Sequence, residues 1–245
     1  MSKLNILVAN DDGINAIGIK LLVEKLKKYG NIYVCAPESG RSASGHSIVL
    51  HDTLSFEYVE TKENVKWYKT SGMPADCVRL PIDLLDVEFD IVFSGVNNGL
   101  NIGTDIIYSG TVAAAREANI EYIPAVAIST DFDSFDIVEK ELDSVLELVF
   151  NKKLYSKDYV LNINFPTSEH LQSCGIKVCK QGIKRFKTTF VLTENNRYAN
   201  TDNSIIYDTR EDTDVYLASQ GYITLVPLKV EQTNYEAMET LKENI

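Results

Sequence analysis

Hydrophobic positions along the first two thirds of the chain fall into short continuous runs that alternate with segments of helical period. Leu4–Ala9 (LNILVA) is the first run and stops at the turn cluster Asn10-Asp11-Asp12-Gly13, so it predicts a buried parallel strand. Over residues 16–29, Ile19, Leu22, Val23 and Leu26 recur at helical spacing, lysines load the last turn, and Gly30 offers a stop. Residues 31–36 (NIYVCA) form a second strand closing at Pro37, which completes a βαβ unit with a right-handed crossover expected. Residues 53–70 alternate instead and predict an inserted hairpin. Further on, the pattern predicts a helix over 75–85 despite Pro81, a strand over 90–94 and an alanine-rich helix over 108–119. It continues with a strand over 124–129, an amphipathic helix over 135–150 and a strand over 159–165.

Repeated βα order over about 165 residues implies an α/β fold, an open and mostly parallel sheet with helices on both faces. The remainder differs. Residues 177–190, 204–207 and 221–227 read as antiparallel strands, and 234–244 as a terminal helix. Without an internal repeat or a low-complexity linker, 1–245 is expected to be a single domain, with a core over about 1–185 and a β-rich extension over about 186–245.

Composition narrows the classes. Apolar residues at 44% and charged residues at 24% are an ordinary globular mix. The 35 acidic against 24 basic residues leave a net charge of −11, which disfavours polymeric nucleic acid and anionic membrane as partners. One acid-free stretch, with Lys177, Lys180, Lys184, Arg185 and Lys187, is either a solvated surface or a contact for an anionic substrate. Cys35, Cys77, Cys174 and Cys179 form no C-x-x-C pair, the amino terminus is too brief for a signal peptide, and no run approaches the roughly 18 apolar residues of a membrane span. A reducing cytoplasm is the expected location.

Three loops carry the chemistry, each following a predicted parallel strand, where open α/β sheets collect ligands. Asn10-Asp11-Asp12-Gly13 places two carboxylates side by side, which repel unless a cation or a proton intervenes. Residues 37–47 (PESGRSASGHS) offer hydroxyls, glycines, Arg41 and His46, a set suited to a phosphate or a metal-bound oxyanion. Residues 94–111 (SGVNNGLNIGTDIIYSGT) hold four glycines and three asparagines, so Asn97, Asn98 and Asn101 present carbonyl oxygens suited to a hard cation. There Ser109, Gly110 and Thr111 open the alanine-rich helix and make an anion site from amides and hydroxyls. Each loop alone also fits a plainer reading: an Asx turn before a helix, a flexible Ser/Gly loop with a merely hydrogen-bonded His46, and a capped helix after a long loop. Their coincidence after three strands favours a phosphate-ester site around a hard divalent metal. P-loop, G-x-G-x-x-G and G-x-S-x-G motifs are absent, as are clustered His or Cys ligands for zinc.

At these residues the sequence resembles the SurE family of survival-protein nucleotide phosphatases. The matching stretches are ILVANDDGINAIGI (6–19), APESGRSASGHSIVL (36–50), SGMPADCV (71–78), SGVNNGLNIGTDIIYSGTVAAAREA (94–118) and GYITLVPL (221–228). The resemblance implies a Rossmann-like core and a metal-dependent phosphatase of nucleoside monophosphates, of 5′ and often 3′ type, at times acting on short polyphosphate. It implies metal ligation by Asp11, Asp12, Ser42 and Asn97, with Mg²⁺ or Mn²⁺ as cofactor, and C-terminal arms exchanged in a homodimer or homotetramer. Ser39-Gly40 ahead of Arg41 and Ala43 within SASG depart from the family's commoner pattern and bear on specificity.

On this reading the metal polarises the phosphoryl group and activates water, one aspartate doubles as base, and Ser109, Gly110 and Thr111 hold phosphate oxygens. Two rivals use the same loops: a non-catalytic nucleotide or metal sensor, and a sugar-nucleotide transferase with Asp11-Asp12 as a metal clamp.

Overall fold

A computed structural model describes residues 3–202 and 204–245. Met1 and Ser2, part of the amino terminus read above for a leader, and Asn203, within the polar stretch after 188, lie outside the described residues. In chain order the elements are β1 (Leu4–Ala9), α1 (Ile17–Leu26), β2 (Gly30–Pro37), β3 (Phe56–Lys62), β4 (Val65–Thr70), α2 (Asp76–Leu84) and β5 (Ile91–Asn98). There follow α3 (Asp105–Tyr108), α4 (Gly110–Ile120), β6 (Ala125–Thr130), α5 (Asp136–Asn151), β7 (Val160–Asn164), β8 (Ile176–Val178), β9 (Lys184–Phe186) and β10 (Phe190–Leu192). The chain ends with β11 (Tyr198–Asn200), β12 (Ile205–Tyr207), α6 (Asp214–Ser219), β13 (Ile223–Leu228) and α7 (Tyr235–Glu243).

Nine strands form one sheet in the order β3-β4-β2-β1-β5-β6-β7-β13-β8. Its centre, from β4 to β7, is parallel throughout. The α/β, mostly parallel fold read from the sequence is therefore present. Side-chain alternation sorts the strands' apolar residues onto two faces. Ile6 and Val8 pack with Ile19, Leu22 and Leu26 of α1 and Leu142 and Val145 of α5. Leu7 and Ala9 pack with Cys77 and Val78 of α2 and Val112 and Ala115 of α4 on the other face. Each fully buried leucine here contributes about 1.5–3 kcal/mol of burial free energy.

β5 departs from a regular strand where it matters most. Ser94 pairs with Ala127, but Asn97 pairs with Ser129, so β5 holds one extra residue there. Gly95 has φ +132°, and a Cβ on it would stand 2.2 Å from the Ile128 carbonyl oxygen, so only glycine fits. Because side chains alternate with a period of two, the extra residue re-aims Asn97 and Asn98 at the carboxyl end of the sheet.

The C-terminal third corrects the sequence reading. Residues 177–190 are not one antiparallel strand: Ile176–Val178 pairs parallel with β13, while Lys184–Phe186 pairs antiparallel with β12 in a separate small sheet. Phe190–Leu192 and Tyr198–Asn200 form a further hairpin that the pattern did not predict. β13 is a buried member of the main sheet, antiparallel to β7. A boundary near 185 thus does not divide core from extension, since residues beyond it complete the central sheet. Among the described residues no helix is long and apolar enough to cross a membrane.

Candidate active site

The carboxyl ends of β1, β2 and β5 meet because β1 lies between the other two, the position at which such sheets bind ligands. The turn after β1 is held by Asn10, whose buried side chain donates to the Gly13 carbonyl at 2.9 Å and accepts from its amide at 3.2 Å. The second loop is laid against it by backbone bonds from Arg41 N to the Asp11 carbonyl (2.7 Å) and from Ile14 N to the Pro37 carbonyl (2.9 Å). A cavity of 720 Å³ opens between these loops, lined by Asp11, Asp12, Ser42, Asn97 and Ser109, with Tyr108 and Phe186 among its other walls. Five of the seven residues singled out in the sequence therefore share one cavity. Gly110 and Thr111 stand behind its wall.

Asp11 is 5% exposed, and its partner is Thr111, whose hydroxyl donates to Oδ1 at 2.5 Å. Burial pushes the Asp11 carboxyl up to about 6; the Thr111 hydroxyl works against the rise and neighbouring Asp12 adds to it. Asp12 is also raised, by burial, with a counteracting hydrogen bond from the Asn98 amide to its Oδ2 at 2.9 Å. Gly110 explains how α4 comes so near: a Cβ there would stand 2.8 Å from the Asp11 Cβ and 2.7 Å from Pro74 Cγ. Ser109 caps α4, its oxygen accepting from the Val112 amide at 3.0 Å, which leaves its hydroxyl hydrogen free to donate into the cavity.

The three asparagines of the third loop have different tasks. Asn97 donates its amide to the Gly99 carbonyl at 2.6 Å, which leaves the side-chain carbonyl oxygen as its remaining ligand atom. Asn98 exchanges hydrogen bonds with Asp133. Asn101 is buried in an amide network: its side chain donates to Ser129, while Asn162 and Asn164 donate to its carbonyl. The bonds from Asn162 and Asn164 reach the Asn101 main-chain carbonyl, so Asn97 and Asn101 both keep a side-chain oxygen, while that of Asn98 accepts from the Asp133 amide; Asn101 is the more buried of the two.

Of the basic stretch noted in the sequence, Lys184 and Arg185 line the cavity, whereas Asp105, Phe186, Thr188 and Asp214 gave no clear signal. Lys184 and Asp105 pair at 2.5 Å, both largely shielded, and bring β9 with Arg185, Phe186 and Thr188 over the site. Asp214 is fully buried and accepts from the amides of Gly103, Gly182 and Val215, so it ties the third loop to the C-terminal region. His46 lies outside the cavity walls, 2.7 Å from Glu117.

No group of three or more His, Cys, Asp and Glu side chains suited to a metal occurs among the described residues. The donor set here is instead two carboxylates with hydroxyl and amide oxygens, the chemistry of a hard divalent cation. No Lys, Arg or His lies at ion-pair distance from Asp11 or Asp12 among the described residues. An uncompensated carboxylate pair of this kind fits a divalent cation.

The family model described as Survival protein SurE matches residues 6–188, about three quarters of the chain. The chain belongs to the SurE family. Among its relatives, the 5′-nucleotidase SurE of Clostridium botulinum (strain Loch Maree / Type A3) is 41% identical over 249 residues, covering 98% of each chain. The 5′-nucleotidase SurE of strain Alaska E43 / Type E3 is 39% identical over 98% of this chain and 99% of its own. The crystal structure of the SurE protein from Aquifex aeolicus matches with a TM-score of 0.81 at 31% identity, covering 98% of both chains. The SurE match spans all three loops, so the cavity is built within the shared fold and not by an added segment.

Proposed function

We propose that the protein is a divalent-metal-dependent phosphomonoesterase that releases phosphate from nucleoside 5′-monophosphates. The observation that carries the reading is the cavity at the ends of β1, β2 and β5, where Asp11, Asp12, Ser42 and Asn97 converge on oxygen chemistry beside the N-terminus of α4. Relatives named 5′-nucleotidase that align over almost the whole chain support the same activity.

Asp11, Asp12, Ser42 and Asn97 would hold the cation, Mg²⁺ or Mn²⁺. When bound, it supplies Lewis-acid polarisation of the phosphoryl group. Ser109 donates its hydroxyl to a phosphate oxygen, and the Gly110 end of α4 adds the positive end of a helix dipole. Thr111 acts through Asp11, holding that carboxylate in its ligating orientation, and so differs from the phosphate-binding part first read for it. Asp12, less buried than Asp11, is placed to take a proton from the attacking water. Tyr108 and Phe186 offer apolar faces on which a nucleoside can rest. The reading extends to 3′-monophosphates and short polyphosphate, whose terminal phosphoryl groups meet the same donors.

The C-terminal region supports self-association. The β10–β11 and β9–β12 sheets have only two strands each, Phe190, Leu192 and Tyr198 stand exposed, and α7 has no buried residue. Isolated two-stranded sheets are marginal alone, so a homodimer or homotetramer that exchanges these arms is the assembly proposed.

The test is phosphate release from AMP and GMP with Mg²⁺ or Mn²⁺, before and after chelation. Release abolished by chelator and restored by metal is expected. Tight nucleotide binding with no release would replace the enzyme by a sensor.

A further inference from the structure

A second cavity, of 550 Å³, lies behind the active site. Its walls include Arg116 of α4, Lys180 and Gln181 ahead of β9, Lys229 just after β13, and Ile107 of α3, which also lines the first cavity. No Asp or Glu is among its lining residues. That is unusual for a chain of net charge −11.

The cations there are unequally compensated. Lys180 is paired with Asp212 at 2.5 Å. Arg116 has no ion pair among the described residues, and its Nε is buried without a hydrogen-bond partner. Burial holds its guanidinium below the usual arginine range. Lys229 is exposed and forms no ion pair among the described residues, although its charge reaches Glu231, so the uncompensated cation is Arg116. Asp214, close enough to raise the nearby Cys179 thiol, is already engaged by three backbone amides. A buried donor without a partner and a cation without a counter-charge are both costly, and an anion removes both deficits together. A guanidinium fork suits phosphate geometry, and the volume suits anything from free phosphate to a nucleotide.

We infer that this cavity is a second anion site, in which Arg116, assisted by Lys229, receives a phosphate or phosphoryl group. The inference stands apart from the phosphatase reading, because it needs neither the metal nor turnover.

Calorimetric titration of the full chain in chelator, at low ionic strength, separates the two sites. Without a cation the Asp11–Asp12 pair repels phosphate, so binding reports the Arg116 cavity. Inorganic phosphate is expected to bind once per chain, and Arg116→Met to weaken it at least tenfold. Arg116→Lys, which keeps the charge without the fork, should fall between, and Asp11→Asn should bind as the parent does. Met at 116 removes an uncompensated cation and keeps most of the volume, so its thermal midpoint should not fall; Arg116→Lys gives an independent reading if it does. AMP titrated in parallel identifies the source: tighter binding than inorganic phosphate marks a nucleotide site, equal binding a phosphate site. Unchanged binding in both Arg116 variants overturns the inference, as does loss of binding in Asp11→Asn alone. Binding that emerges only when residues 233–245 are removed also overturns it, since the acidic tail would then be the occupant.

Discussion

The Thr111 hydroxyl donates to Asp11 Oδ1 at 2.5 Å across 100 positions of sequence. It joins the first turn of α4 to the turn after β1, and it opposes the effect of burial on that carboxyl. Thr111→Val keeps the shape and removes the donor. A hydrogen bond to a charged group is worth about 1.5–3 kcal/mol, so the metal concentration giving half-maximal activity should rise about tenfold or more, with the fold intact by circular dichroism. An unchanged metal requirement would detach Thr111 from the site.

Asp11→Asn should separate stability from activity. The amide retains a partner in Thr111 and removes a buried negative charge, so the chelated variant should melt at or above the parent at pH 7.5. Phosphatase activity should fall about 100-fold or more, the scale of losing one preorganised electrostatic contact. A variant that melts lower and keeps its activity would refute both statements.

The pH dependence follows from the raised Asp11. Its folded carboxyl titrates at about 6 against 3.8 for the ordinary group, so the folded state holds the proton more tightly. In metal-free protein this group costs nothing below 3.8; the penalty grows as pH rises and is complete above about 6, at roughly 3 kcal/mol at most. A divalent cation offsets the same charge, so its stabilising effect should be larger at pH 7.5 than at pH 5. Thermal midpoints with and without Mg²⁺ at the two pH values test this, and equal shifts would count against it.

Gly110→Ala should damage the site more than the fold. The new methyl would meet Pro74 Cγ at 2.7 Å and Asp11 Cβ and Ser44 Oγ at 2.8 Å. Overpacking of this kind costs about 1–3 kcal/mol, partly offset by the roughly 1 kcal/mol better helix propensity of alanine. Because one of the crowded atoms belongs to Asp11, kcat should drop well beyond what the shift in Tm accounts for.

The parallel core was legible because its strands are continuous apolar runs and its helices keep a clean period, as in Leu4–Ala9 followed by Ile19, Leu22 and Leu26. That the loops after β1, β2 and β5 share one cavity was legible because polar loops at parallel strand ends are local features, whereas the resemblance to the SurE family, and not local chemistry, singled out Ser42 and Asn97 within them. Other features were not, for physical reasons. How Asn97, Asn98 and Asn101 are oriented depends on one extra residue in β5, on the Asp133 amide that occupies the Asn98 side-chain oxygen, and on Asn164, which fixes the main chain of Asn101. The partner of Thr111 is set by tertiary contact alone. Three-residue strands such as Ile176–Val178 carry too little periodicity to reveal their direction, which is imposed by β13, a neighbour in space far along the chain.

The strand order has a consequence for the life of the chain before it is complete. The oxygen donors come from loops after β1, β2 and β5, and β1 meets β5 only after the long excursion through β3, β4 and α2. A nascent chain that has displayed Asp11, Asp12 and Ser42 still lacks Asn97 and the α4 turn that steadies Asp11. Partly synthesised or truncated copies should therefore release no phosphate from nucleotides, the proposed site being complete only when the sheet has closed.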